Sequence, residues 1–267
     1  MTLRLPKLNK YSEDVKHLYT QEEIDKILNR FKDNTTFICA FLTSCYTGMR
    51  TGEVFALTWE DIDFKNNYIY VKHSVYDKDK DYKGRWFIGP TKTKKGTRKI
   101  ILAPTLKTAL LNYKKRQDYL KEIYGSQYKY YILEEVYNDF GKSLEKRIVI
   151  HKNCGNNINL VFTKDDGSYI GTDVTKYPYK IIHKELGINK CRFYDLRGTY
   201  ATKILNSGVG IKEVAELLGH TDINTTENYY ISELEENSKT AIKNYDKEIN
   251  SETINKIIQF NISNFSN

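Results

Sequence analysis

No apolar run in this chain approaches the ~20 residues that a membrane-spanning helix requires. The first twenty residues, MTLRLPKLNKYSEDVKHLYT, lack the apolar core of a secretory signal. The expectation is a cytoplasmic protein with no membrane partner. Cysteine is scarce. Cys39, Cys45, Cys154 and Cys191 are scattered, with no CxxC pair, which excludes a disulfide-stapled scaffold and fits a reducing compartment. His151 and Cys154 have ligand-like spacing but no second pair, so they are read as loop residues and not as a zinc site. No acidic cluster offers itself to a catalytic metal, and no metal or cofactor is expected. Internal repeats and low-complexity tracts are also missing.

What remains is a basic chain of ordinary soluble composition. Its 267 residues suffice for one large domain or two small ones with a real core. The net charge is +8. A basic balance of this size points to a polyanion, with nucleic acid as the first candidate. The charge is unevenly placed. Ser232 to Asn267 holds six acidic and four basic residues, so the positive excess lies wholly in the preceding residues. The stretch from Lys72 to Lys99 is especially dense in Lys and Arg.

The pattern along the chain predicts a mainly α-helical α+β domain with a small antiparallel sheet near its middle. The first sixteen residues show no period and read as a linker. Thr20 with Glu23 forms a capping box that starts a helix at about Gln21. A second helix covers about Thr35 to Tyr46 and stops at Gly48. A short one runs from Thr51 to about Leu57. YIYVKHSVY and WFIG read as strands. TKTKKGTRKIIL reads as a hairpin turning near Lys95-Gly96. Thr105 to about Tyr124 is a long amphipathic helix. Residues 125 to 170 show no clean period and read as a mixed insertion, with LVFTKDDGSYIG a short strand and turn. From Thr172 the pattern is helical, broken at Gly187, Gly208 and Gly219.

Several residues carry possible chemistry. Arg50 follows a glycine at a helix start, with Glu53 three residues on. A guanidinium there suits a phosphate oxygen, although a surface ion pair between the two is the plainer reading. Arg197 lies at the edge of an apolar helical stripe, where a charge needs a partner such as Asp195 or Glu213. His220 directly follows a helix, a common place for a capping or solvent-facing histidine. Asp222 can cap the next helix, which would carry Tyr229 and Tyr230.

Taken in order, four blocks resemble the catalytic domain of the tyrosine recombinases, the phage and conjugative-transposon integrase family: TGMRTGE, TKTKKGTRKI, YDLRGTYAT and LLGHTDINTTENYY. The resemblance covers about Lys16 to Tyr230. It implies that Arg50 and Arg197 clamp a scissile phosphate, that Glu53 orients Arg50, and that His220 hydrogen-bonds a non-bridging oxygen. Lys92 would protonate the leaving 5′-oxygen, with Lys94, Lys95 and Arg98 as DNA contacts. Tyr229, nine residues after His220, matches the nucleophile, and Tyr230 would pack or touch DNA.

Two departures stand out. Tyr194 occupies the position where the family usually has histidine. A neutral phenol is a poor base at pH 7, but it can donate a hydrogen bond to phosphate, and Tyr194 is kept as a catalytic candidate. Gly198 also replaces a frequent histidine. Too few residues precede the catalytic block for the family's N-terminal core-binding domain. The expected organisation is a linker at 1–16, a catalytic domain at 17–231 and a tail at 232–267. The apolar residues of the tail would either pack on their own domain or, as the resemblance implies, dock on a neighbouring protomer.

The function this implies is site-specific DNA recombination through a 3′-phosphotyrosine, without metal or ATP, for integration and excision of a mobile element. The partners are double-stranded DNA, a homo-oligomer (a tetramer) on paired sites, and accessory DNA-bending proteins. The alternatives are a nicking-closing enzyme resembling type IB topoisomerases and a non-catalytic DNA-binding regulator.

Overall fold

The first helix begins where its cap dictates. In the computed structural model, which describes residues 17–77, 86–91, 96–137, 143–151, 155 and 157–220, α1 spans Gln21–Arg30. The Thr20 hydroxyl accepts from the Glu23 N–H at 3.2 Å. The Glu23 carboxylate accepts from the Thr20 N–H at 2.9 Å. Two of the backbone donors at the helix start are thus satisfied locally.

Helix α2, Thr35–Thr47, is apolar around most of its surface and buries Phe37, Cys39, Ala40 and Phe41. Such a helix belongs inside the core, and α2 packs against both α4 (Pro104–Tyr124) and α6 (Asp195–Asn206). It ends at Gly48, whose left-handed φ of 60° closes the last turn. Helix α3 follows at once, Thr51–Phe55. The proline at the first position of α4 has the φ a helix start needs and no N–H to leave unpaired. The other α-helices among the described residues are α5, Lys176–Glu185, and α7, Ile211–Leu218.

The expected small sheet is two sheets. One contains β1 (Ile62–Asp63), β2 (Tyr68–Val71) and β5 (Arg98–Ile101), in the order β1-β2-β5. The other contains β3 (His73–Asp77), β4 (Trp86–Pro90), β6 (Tyr130–Tyr137) and β7 (Ser143–His151), in the order β3-β4-β7-β6. All ladders are antiparallel.

Two readings need correction, and a third falls partly outside the described residues. Of the TKTKKGTRKIIL hairpin, residues 92–95 are not among those described; its second arm, Arg98–Ile101, pairs with Tyr68–Val71, where Ile69, Val71 and Ile100 cover the same core face. The mixed insertion contains a regular hairpin, β6–β7, which extends the second sheet. LVFTKDDGSYIG makes a single bridge, Leu160 to Thr58, and then a tight turn closed by Lys164 and Ser168, not a ladder strand.

Every described residue belongs to one compact unit that ends at Thr221. No helix among them is long and apolar enough to cross a membrane. Within the core, Gln117 of α4 accepts from the Trp59 indole N–H at 2.7 Å and donates to Thr163 Oγ1 at 2.9 Å. This polar knot ties α4 to the segments on either side of the sheets.

Candidate active site

Arg197 is 3% exposed, and burial of a guanidinium demands compensation. Neither Asp195 nor Glu213 supplies it, contrary to the sequence expectation. Asp195 pairs with Arg192 at 3.0 Å, because its own helix start turns it back toward that residue. Arg197 instead donates to two backbone carbonyls, Gly48 O at 2.8 Å and Leu218 O at 2.7 Å. These lie at the C-terminal ends of α2 and α7, where unsatisfied carbonyls and the helix dipole concentrate negative potential. The guanidinium is held by two helix ends, and among the described residues it makes no ion pair with a carboxylate. Burial, with Arg50 and Arg98 nearby, lowers the Arg197 pKa to about 10, and it stays charged at neutral pH.

Arg50 precedes α3 with extended backbone. Its Nη1 donates to Glu53 Oε1 at 2.8 Å, and its backbone N–H donates to Oε2 at 2.9 Å. This is no surface pair, since Glu53 is only 2% exposed. Burial pushes the Glu53 carboxyl up, but the charge and hydrogen bond of Arg98, with help from Arg50, outweigh it and hold the pKa below its ordinary value. Helix α3 sits close on β3. A Cβ on Gly52 would lie 2.5 Å from Ser74 Oγ and 2.6 Å from the Val75 carbonyl, so only glycine allows this approach.

His220 is placed by the end of α7. Gly219 adopts a left-handed φ of 70°, the His220 N–H donates to Ala215 O at 2.9 Å, and the Gly219 N–H donates to Glu216 O at 2.9 Å. That pairing is the Schellman arrangement, and it directs the chain away from the helix axis at a set angle. The imidazole is half-buried. Burial, then the charges of Arg197, Arg50 and Arg98, lower its pKa to about 4. It is therefore neutral at pH 7, a hydrogen-bond donor through one ring nitrogen.

The structure thus brings together Arg50, Glu53, Arg197 and His220 of the expected set. Tyr194 stands at the start of α6, 40% exposed and within electrostatic reach of Arg197. Lys92, Lys94, Lys95, Tyr229 and Tyr230 lie outside the described residues, as does the tail from 232.

Arg98, expected as a DNA contact, has its side chain buried in the site. Its side chain is 6% exposed and pairs with Glu53 Oε2 at 2.9 Å. It also donates to Leu217 O at 2.7 Å and to Gly96 O at 3.0 Å. The reason is strand alternation. Ile100 faces the core, so Arg98, two residues earlier on β5, faces inward as well. Lys99 and Ile101 point outward, and Lys99 sits over the Tyr68 ring at 3.3 Å. That alternation was the available signal for Arg98, and the surrounding lysines hid it.

Two guanidiniums, Arg50 and Arg98, therefore meet at one buried carboxylate, with a third, Arg197, and a neutral histidine within charge range. The cluster carries an excess of positive charge, fixed in place by backbone carbonyls and little solvated. Such a site suits an anionic group whose charge grows in a transition state.

A model of the phage integrase family matches residues 17–236. A tyrosine recombinase XerC-like protein of Caldanaerobacter subterraneus subsp. tengcongensis is 29% identical over 230 residues, which cover 84% of this chain and 52% of that protein. The transposase from transposon Tn916 of Enterococcus faecalis is 24% identical over 246 residues, 87% of this chain and 52% of that protein. The chain spans about half the length of these relatives. Among solved structures, the Tn1549 transposon integrase in complex with circular intermediate DNA has a TM-score of 0.58 at 22% identity, covering 80% of this chain and 62% of that one. The XerA recombinase has a TM-score of 0.51 at 20% identity, covering 80% of this chain and 57% of that one. At such identities these two structures establish the shared fold. The family match covers most of the sequence, including Arg50, Glu53, Arg197 and His220, and the chain belongs to the phage integrase family.

Proposed function

We propose that this chain is the catalytic part of a site-specific DNA recombinase of a mobile element, which breaks and rejoins DNA through a 3′-phosphotyrosine. The observation that carries this reading is the pairing of Arg50 and Arg98 with one buried carboxylate, Glu53, with Arg197 within charge range of all three and a neutral His220 beside them.

The chemistry follows from what these groups can do. A phenol with a pKa near 10 attacks a phosphodiester poorly. Arg50 and Arg197 would neutralise the charge that builds on the phosphate oxygens, and one arginine in such a role is worth roughly 10³–10⁵ in rate. His220, neutral at pH 7, would donate a hydrogen bond to a non-bridging oxygen. Tyr229 would form the bond to phosphorus, releasing its phenolic proton to solvent, as the 5′-oxygen leaves with a proton from Lys92. Tyr194, as a phenol near Arg197, would add a hydrogen bond to the phosphate and not a base. The phosphotyrosine keeps the energy of the broken linkage, so resealing needs no ATP. Lys94 and Lys95 would hold the duplex by phosphate contacts.

Double-stranded DNA is the substrate in this reading. A tetramer on paired sites, accessory DNA-bending proteins and a cytoplasmic location go with it. The catalytic domain would run from 17 to 231, and the tail from 232 would dock on a second protomer. The test is a duplex carrying a nick next to the cleavage point, which loses a short fragment on cleavage and cannot reseal. The parent chain is expected to give a protein–DNA band that survives denaturation, and Arg197→Ala is expected to give none. A parent chain that binds the duplex but never becomes attached to it would overturn the reading in favour of a DNA-binding regulator.

A further inference from the structure

We propose that Arg98 is a positioning residue of the strand-cleavage site, holding the Arg50–Glu53 pair and the His220-bearing end of α7 at one fixed separation. The inference deepens the function proposed above and rests on it for its kinetic test.

The geometry carries it. One planar guanidinium makes hydrogen bonds to three separate stretches of chain. It reaches Glu53, 45 positions earlier, at 2.9 Å and Leu217, 119 positions later, at 2.7 Å. The third bond, to Gly96 O at 3.0 Å, anchors the start of its own strand. A rigid fork sets the angles among its acceptors as well as the distances. Leu217 and Leu218 are consecutive, and their carbonyls go to different arginines, Leu217 to Arg98 and Leu218 to Arg197. The last turn of α7 is thereby gripped from two sides. His220 follows two residues later, through the Schellman turn, so its position inherits that grip.

Arg98 is engaged by the protein on all three of its nitrogens: Nε donates to Leu217 O, Nη1 to Gly96 O and Nη2 to Glu53 Oε2. Lysine could keep the charge beside Glu53 but not the fork. Its ammonium is a compact point donor, and it cannot reproduce a guanidinium's bonds to a carboxylate and two carbonyls in one plane.

The experiment uses Arg98→Lys and Arg98→Met in the full 267-residue chain, with folding followed by circular dichroism. Duplex affinity is read by fluorescence anisotropy over a salt series, and covalent capture by the nicked duplex. Arg98→Lys is expected to bind the duplex as the parent does, with the same salt slope, and to lose about 10²-fold in capture rate, the scale of a small misplacement of reacting groups. Arg98→Met is expected to lose at least as much, and should it fail to fold, the lysine variant alone decides. Unchanged capture in Arg98→Lys would overturn the proposal. So would a parallel loss of affinity with a shallower salt slope, which would make Arg98 a DNA contact. If the parent chain itself gives no covalent product, the strand-cleavage reading fails, and Arg98 is judged by His220 alone. The imidazole titration, followed by NMR and assigned with His220→Gln, is expected to move toward the ordinary histidine range in Arg98→Lys although the charge is kept. An unmoved titration would refute the positioning role.

Discussion

Replacing Glu53 by Gln removes one negative charge and changes almost nothing in size. Oε2 accepts from the Arg50 N–H and from Arg98, and Oε1 accepts from the Arg50 guanidinium. Glutamine keeps one acceptor oxygen. If that oxygen takes the place of Oε2, its amide N–H₂ faces the Arg50 guanidinium, donor against donor. If it takes the other place, Arg98 and the Arg50 N–H lose their acceptor. Each charge pair, with centres about 4 Å apart, is worth about 4 kcal/mol at the effective dielectric of partly buried sites. The desolvation already suffered by the arginines is not returned, and breaking a buried pair by removing one partner costs about 3–5 kcal/mol. At roughly 2–4 °C per kcal/mol for a chain of this size, melting should fall by roughly 6–20 °C. Glu53 is also the charge that opposes the arginines at His220 and Arg197, so both pKa values should fall further in the variant. Thermal melting by circular dichroism reads the first effect, and NMR titration of His220 the second. A melting temperature within about 2 °C of the parent, less than 1 kcal/mol, would show that the carboxylate does not hold the arginines together.

Other perturbations reach the same site by different routes. Gly52→Ala puts a Cβ 2.5–2.6 Å from Ser74 Oγ and the Val75 carbonyl, so α3 must move off β3. About 1–3 kcal/mol of stability should be lost, as for other overpacked positions, with capture of the nicked duplex falling sharply. The pH dependence has a definite sign. His220 in the folded chain titrates at about 4, below its ordinary 6.5. Between these values the unfolded chain binds a proton that the folded chain does not. Its contribution to stability is therefore complete above about pH 6.5 and is lost as the pH falls toward 4. Urea midpoints across pH 4–8 should show this slope in the parent and a flatter one in His220→Gln. Equal slopes would mean that His220 titrates normally. For Lys92→Ala, a duplex with a 5′-bridging sulfur, whose leaving group needs no proton, should restore cleavage. Failure of rescue would move the acid role elsewhere.

Much of this was legible in the sequence because the signals were local. The Thr20/Glu23 box sets the start of α1, and Gly48 ends α2, since each depends on residues within one turn. The cluster of Arg50, Glu53, Arg197 and His220 was legible from its blocks, though not its partners. Arg197 is held by Gly48 and Leu218 carbonyls, and backbone atoms leave no trace in residue identity. The β6–β7 hairpin was missed because it is largely exposed. Tyr131 and Ile148 are its buried anchors while Ile150 is 65% exposed, so no clean two-residue period arises. The pairing of β5 with β2 is non-local, and turn residues alone suggested a hairpin with its own neighbour. The burial of Arg98 was missed for a related reason. In a run of lysines its charge looked like surface, and only its register with Ile100 marked it as buried.

The most direct test of the account asks which atom holds the DNA. The product trapped on the nicked duplex can be digested with nuclease and protease and its peptides analysed by mass spectrometry. The account predicts a nucleotide adduct on Tyr229 and none on Tyr230, with capture lost in Tyr229→Phe and kept in Tyr230→Phe. An adduct on any other residue, or capture that survives Tyr229→Phe, would contradict it.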